Sequence, residues 1–248
     1  MKLGTKYWCS ALVVVGIIAT LLGSTAAFAG NPNPGVFPIN SRPYGLTYGQ
    51  WSARWWHYAF KQTTLDICAT DTLGSQVIFL AGAGVPVTCT IHAGKAIMFP
   101  TFNVEWSDVE ARAQEQATPG QSCLLPHQPY GTSNAALQAC ATAQADHATV
   151  PGATLTAKVD GRPLTNLTNY RAVSAPFSFK AVAENPFLSS ICPEGCDGHA
   201  VADGFWIMLT PLSPGKHIIH FTATVPFPEL SFTYTNDTTY KLTVLPER

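Results

Sequence analysis

An apolar run from Ala11 to Leu22 stands behind Lys2 and Lys6 and leads into Ala27-Phe28-Ala29. A basic start, about a dozen apolar residues and a small-aromatic-small end form the pattern a signal peptidase accepts. Residues 1–29 therefore read as a secretory signal, with the mature chain starting near Gly30. The run is shorter than the roughly 20 residues that cross a bilayer, and no later stretch is longer, so no membrane span is expected after cleavage. Export constrains the fold because it places the chain in an oxidising solvent, periplasmic or extracellular. Cys9 leaves with the signal; Cys68, Cys89, Cys123, Cys140, Cys192 and Cys196 remain. An even set in that compartment reads as disulfides. The local solution pairs Cys68 with Cys89, Cys123 with Cys140 and Cys192 with Cys196, while other pairings stay open. Cys192-Pro-Glu-Gly-Cys196 would also suit half a zinc site, but no second Cys or His pair follows at ligand spacing. No metal and no cofactor are expected.

The 219 residues left of 248 suffice for one domain with an ordinary core. Residues 30–46, rich in Pro, Gly and Asn, read as an extended lead-in on the surface. Thr47 with Gln50 is a capping-box signature, and Gln50 to Lys61 has helical periodicity: Trp51, Trp55, Tyr58 and Ala59 make one apolar stripe, widened by Trp56 and Phe60. Val77–Leu80 and Ala96–Phe102 read as buried strands. Ser107 caps a Glu/Gln-rich helix to Ala117, and Thr132 or Ser133 opens an Ala-rich one to about His147, with Cys123 placed to staple the intervening loop to Cys140. After Pro151 the pattern is β: Thr154–Val159, Pro176–Val182, Gly204–Leu209, His217–Val225 and Phe232–Val244. The prediction is a mainly β chain: a single-domain antiparallel β-sandwich over 47–248, with a Trp-rich N-terminal helix and a disulfide-stapled helical insertion at about 107–147.

Several segments together resemble an uncharacterised family of exported bacterial proteins. They are Tyr44-Gly45-Leu46-Thr47-Tyr48 running into Trp51-Ser52-Ala53-Arg54-Trp55-Trp56, then Phe79-Leu80-Ala81-Gly82, Gly94-Lys95-Ala96, Phe99-Pro100 and Asn103-Val104-Glu105. Downstream, Val159-Asp160-Gly161, Ala202-Asp203-Gly204-Phe205-Trp206 and Pro211-Leu212-Ser213-Pro214-Gly215 with His217 continue it. The resemblance implies an envelope or secreted location and transfers no catalytic residue.

Charge excludes one class of partner. The formal charge of −1 becomes −3 once Lys2 and Lys6 leave, and no basic patch of the kind nucleic acid demands is present. Three Trp within six residues would make an aromatic platform, but a helix packed on a sheet buries such rings routinely. Arg54 beside them should stack on a ring and pair a carboxylate, with Glu105 or Asp203 as partner. Glu105 beside Trp106, and Asp203 close to Trp206, read as strand-end acids; two carboxylates near aromatic rings are the skeleton of a glycoside hydrolase. The candidate binding residues are thus Arg54, Glu105, Asp203, Trp56 and Trp106. His217 and His220 fall on opposite faces of a strand and cannot chelate one metal. No Gly-x-Ser-x-Gly occurs. The reading is a non-enzymatic exported protein that binds a ligand, carbohydrate being one candidate, or an envelope partner. A secreted hydrolase using Glu105 and Asp203 is the alternative, and a structural envelope protein without small ligand is the third.

Overall fold

Thr47 and Gln50 close a helix as their spacing predicts. The Thr47 hydroxyl accepts from the Gln50 N–H at 3.2 Å, and the Gln50 side chain accepts from the Thr47 N–H at 2.9 Å. The computed structural model describes residues 32–64, 68–70 and 76–247. The chain divides into two units, Met1–Gly30 and Asn31–Arg248. The expected signal segment lies outside the described residues. In chain order the elements are α1 (Tyr48–Ala59), β1 (Cys68–Thr70), β2 (Val77–Leu80), β3 (Val87–His92), β4 (Ala96–Ser107), α2 (Asp108–Ala117), α3 (Asn134–Asp146), β5 (Thr154–Val159), β6 (Arg162–Pro163), β7 (Arg171–Val173), β8 (Phe177–Ala181), β9 (Cys196–Leu209), β10 (Gly215–Phe227) and β11 (Phe232–Leu245).

The strands form two sheets and make the molecule mainly β. One runs β1-β2-β4-β9-β7, with β8 also on β9; the other runs β3-β11-β10-β5-β6. Both are mixed, which corrects the antiparallel expectation: β2 lies parallel to β4, and β3 parallel to β11. Local pattern marks a strand but not its direction relative to a partner far along the chain. Strand β3 was missed although Val87, Cys89 and Ile91 alternate with exposed threonines, the signature of a half-buried strand. In β10, Ile219, Phe221, Ala223 and Val225 are buried while His220, Thr222 and Thr224 between them are half-buried. Phe221 stacks on Phe99 of β4 at 4.9 Å, so the two sheets share apolar side chains.

Residues 32–46 lie largely on the surface, as a lead-in would, but three of them, Asn33, Val36 and Pro43, are buried. Val36 is buried and bridges Leu209, and buried Asn33 accepts from the Thr165 N–H at 2.8 Å. The Tyr48 hydroxyl donates to the Phe37 carbonyl at 2.6 Å. A Pro/Gly-rich stretch forms little secondary structure of its own, yet its backbone and apolar side chains still find partners here. The helices α2 and α3 start at Ser107 and Ser133, each hydroxyl accepting from the N–H three residues on. All six described cysteines pair locally, Cys68 with Cys89, Cys123 with Cys140, and Cys192 with Cys196. Three disulfides suit an oxidising compartment. Among the described residues no helix is long and apolar enough to cross a membrane.

One polar pair of the second sheet carries a pH dependence. His217 Nδ1 faces Asp160 Oδ2 at 2.7 Å and its Nε2 faces the Ser213 carbonyl at 2.9 Å. Burial opposes charge on the ring, but the bonds to Asp160 and Ser213 and the Asp160 charge outweigh it and raise its pKa. For Asp160, burial is likewise outweighed, by the bonds from His217 and the Ile218 N–H, and its pKa falls. The imidazolium contribution is complete below the unfolded histidine value of about 6.5 and is lost as pH rises through the raised folded value. The Asp160 contribution is complete above about pH 3.9 and is lost as pH falls through the lowered folded value. The difference in Tm between wild type and His217→Gln should therefore be greatest between about pH 4 and 6.5 and shrink on the alkaline side. A difference that stays constant from pH 5 to pH 9, on the order of one histidine titration range, would contradict this assignment.

Candidate functional site

Strand β4 outlasts its neighbour. β2 pairs with it only at Ala96, Ile97 and Met98, while β9 accompanies its other edge as far as Ser107. The edge from Phe99 onward has no strand beside it among the described residues. Pro100 has no N–H to offer a ladder, and the register with β9 shifts between Pro100 and Phe102. The Thr101 hydroxyl pins the bulge by donating to the Phe205 carbonyl at 3.1 Å.

A cavity of about 340 Å³ opens along that edge, at the small end of the roughly 300–1,000 Å³ of ligand sites. Helix α1 contributes Trp55 and Trp56, β4 contributes Phe102 to Trp106, and α2 contributes Glu110. Phe187 closes one side. The tip of the β10–β11 hairpin covers another with Phe227, Leu230, Phe232 and Tyr234. Leu230 and Phe232 come from a tight turn in which Ser231 holds a positive φ of 50°. Phe232 is 54% exposed, so the aromatic lining reaches solvent there.

Three buried polar atoms on lining residues lack a hydrogen-bond partner: Trp56 Nε1, Asn103 Nδ2 and Glu105 Oε2. Each such group costs about 1–3 kcal/mol when left unsatisfied. The contrast within the lining is informative. Trp55 Nε1 donates to the Leu80 carbonyl and Trp106 Nε1 to the Ser122 carbonyl, both at 2.9 Å, whereas Trp56 Nε1 donates to nothing. Trp206 Nε1 is a fourth unpaired atom, and it lies outside the lining, on a ring packed edge-on against Trp55.

Glu105 and Glu110 both bring carboxyls to this wall, and Glu110 turns back to accept from the Ser107 N–H at 2.9 Å and its hydroxyl at 2.7 Å. Burial, then the Glu110 charge and the bond to it, push the Glu105 pKa well above the usual carboxylate range. Burial raises Glu110 as well, but bonds from Glu105 and from the Ser107 hydroxyl and N–H work against that rise. Burial thus favours the neutral form of both acids, and Glu110 caps α2 through Ser107. The last lining group that titrates, Tyr234, is raised by burial and stays a neutral phenol.

Asp203 belongs elsewhere, and the expected cluster of Arg54, Glu105 and Asp203 does not form. In the β4–β9 register Val104 faces Asp203 and Glu105 faces Ala202, so the two acids project from opposite faces. Asp203 is fully buried, accepts from Arg171 Nε at 3.0 Å and Nη2 at 2.7 Å, and takes a further bond from Thr142. Arg54 instead lies over the Trp51 ring at 4.9 Å. Asp203 does not sit at a strand end, because β9 begins at Cys196 rather than Gly204, whereas Glu105 stands two residues before β4 ends at Ser107. Of the named candidates the cavity brings together Glu105, Trp56 and Trp106 and leaves out Arg54 and Asp203. It adds Asn103, Glu110, Phe187 and Tyr234. Glu110 was legible as the third residue after the Ser107 cap; Phe187 lies in a loop with no pattern to mark it. Among the described residues no group of three His, Cys, Asp or Glu is placed to hold a metal ion.

No protein-family model matches the chain, and no curated protein matches it. Two solved structures show a faint likeness. "Structure of PbICP-C in complex with falcipain-2" is 12% identical, covering 68% of this chain and 99% of that one at a TM-score of 0.21. "Solution Structure of Amebosin" is 11% identical, covering 69% and 100% at 0.20. At those scores neither likeness defines a fold family or a partner.

Proposed function

We propose that this chain is an exported, non-enzymatic binding protein, a β-sandwich that holds a small ligand in the aromatic cavity at the free edge of β4. The observation that carries the reading is that Trp56, Asn103 and Glu105, each with a buried polar atom lacking a partner, line one apolar cavity. A few convergent polar groups in an aromatic wall is the usual composition of a ligand site. The signal pattern, the three disulfides and the resemblance to exported bacterial proteins support the address. The hydrolase reading loses its second acid, because Asp203 is committed to Arg171.

The test is to follow the Trp56 indole N–H resonance while titrating saccharides, amines and carboxylic acids. At least one class should move it, and Trp56→Phe, which keeps a ring and loses the donor, should weaken that ligand by about tenfold. If no class perturbs Trp56, the cavity is not a binding site.

A further inference from the structure

The wall of the cavity has an unusual charge balance. Eight aromatic side chains line it: Trp55, Trp56, Phe102, Trp106, Phe187, Phe227, Phe232 and Tyr234. The acids on the lining are Glu105 and Glu110, and no Lys, Arg or His stands beside them there. Helix α1 and the turn after it carry Arg54, His57 and Lys61, none of which lines the cavity, and Glu115 of α2 accepts from the Gly120 N–H. On α2, Asp108 pairs with Arg112 and accepts from the His199 N–H. At the hairpin tip His147 stacks on Phe227 and pairs with Glu229. Aromatic faces attract cations, and the attraction strengthens where water is excluded. Burial in this wall favours the neutral form of both acids, and a neutral carboxyl can give its proton up when another positive charge takes its place.

Resting on the binding reading above, we infer that the ligand is an organic ammonium ion that also carries a hydrogen-bond acceptor, and that it enters by displacing a proton from the Glu105–Glu110 pair. The ammonium group lies against the aromatic rings near the two carboxyls. The acceptor, a hydroxyl or carbonyl oxygen, takes the unpaired N–H groups of Trp56 and Asn103. The balance is one cation in and one proton out to solvent, so the charge of the site does not change.

Choline serves as the probe, with its uncharged carbon analogue dimethylbutanol and glucose as comparisons, measured by calorimetry in buffers of different ionisation enthalpy. Choline should bind with release of roughly one proton near pH 7, and its affinity should fall by up to about tenfold per unit as pH drops through the range where the pair keeps its proton. Dimethylbutanol should bind about tenfold more weakly or worse. Glu105→Gln imitates the protonated acid, since its amide can still donate to Glu110, so it should fold while abolishing proton release and weakening choline. The pH series on wild type needs no variant. Choline binding without proton release, or dimethylbutanol binding as tightly as choline, overturns the inference. Glucose binding in place of choline also overturns it and leaves the cavity a binding site; silence from every class in the Trp56 titration removes both readings.

Discussion

Replacing Trp55 by alanine is expected to lower the unfolding free energy by about 3–5 kcal/mol, the range for truncating a buried aromatic side chain. Trp55 is 2% exposed and packs edge-on against Trp56 at 5.0 Å and Trp206 at 5.5 Å. Its indole N–H is also the donor that satisfies the Leu80 carbonyl, just where β2 leaves β4. The truncation thus removes transfer energy, opens a void between α1 and the sheet, and strands a carbonyl at about 1–3 kcal/mol, terms that overlap rather than add. Denaturant unfolding should show the midpoint shifted with the m-value unchanged. A variant that unfolds at the wild-type midpoint and loses only ligand binding would make Trp55 part of a surface platform instead.

Asp203→Asn is expected to cost about 3 kcal/mol. The carboxylate is fully buried and receives a two-point contact from Arg171, which also reaches Asp146 at 2.6 Å. Breaking a buried pair from one side costs about 3–5 kcal/mol, because the remaining charge loses its compensation. Arg171 keeps 27% of its side chain in solvent, which places the loss at the low end. Arg171→Met combined with Asp203→Asn should recover part of it, since no unpaired guanidinium then remains. Neither change should alter the Trp56 response to ligand, because Asp203 projects from the face opposite Glu105. If Asp203→Asn abolished ligand binding while leaving Tm unchanged, the assignment of Asp203 as structural would fall.

Parts of the fold were legible because their signals are short-ranged. The Thr47/Gln50 box, the hydroxyls of Ser107 and Ser133, the alternation of Ile219, Phe221, Ala223 and Val225, and the local disulfides each depend on residues near one another in the chain. The parallel pairing of β3 with β11 was not legible, since it joins Cys89 to Leu242 with nothing in either segment to announce the other. Arg171 escaped for the same reason: β7 sets it opposite Phe205 on β9, within reach of Asp203, and no spacing links the two positions. Arg54, chosen as the partner because aromatic residues flank it, is carried by α1 onto Trp51 instead.

Glu105 shows where the division falls. The sequence by itself determined that an acid beside Trp106 sits in an apolar stretch and that a capped helix starts at Ser107. Which face the acid would take depended on register. Side chains alternate along a strand, so a shift of one residue exchanges its faces, and the break between Pro100 and Phe102 makes such a shift in the middle of β4. Register is decided by burial summed over both sheets, a long-range quantity that no local run of residues contains. Only the tertiary structure could therefore place Glu105 against Glu110 inside the cavity and send Asp203 to Arg171 on the other side.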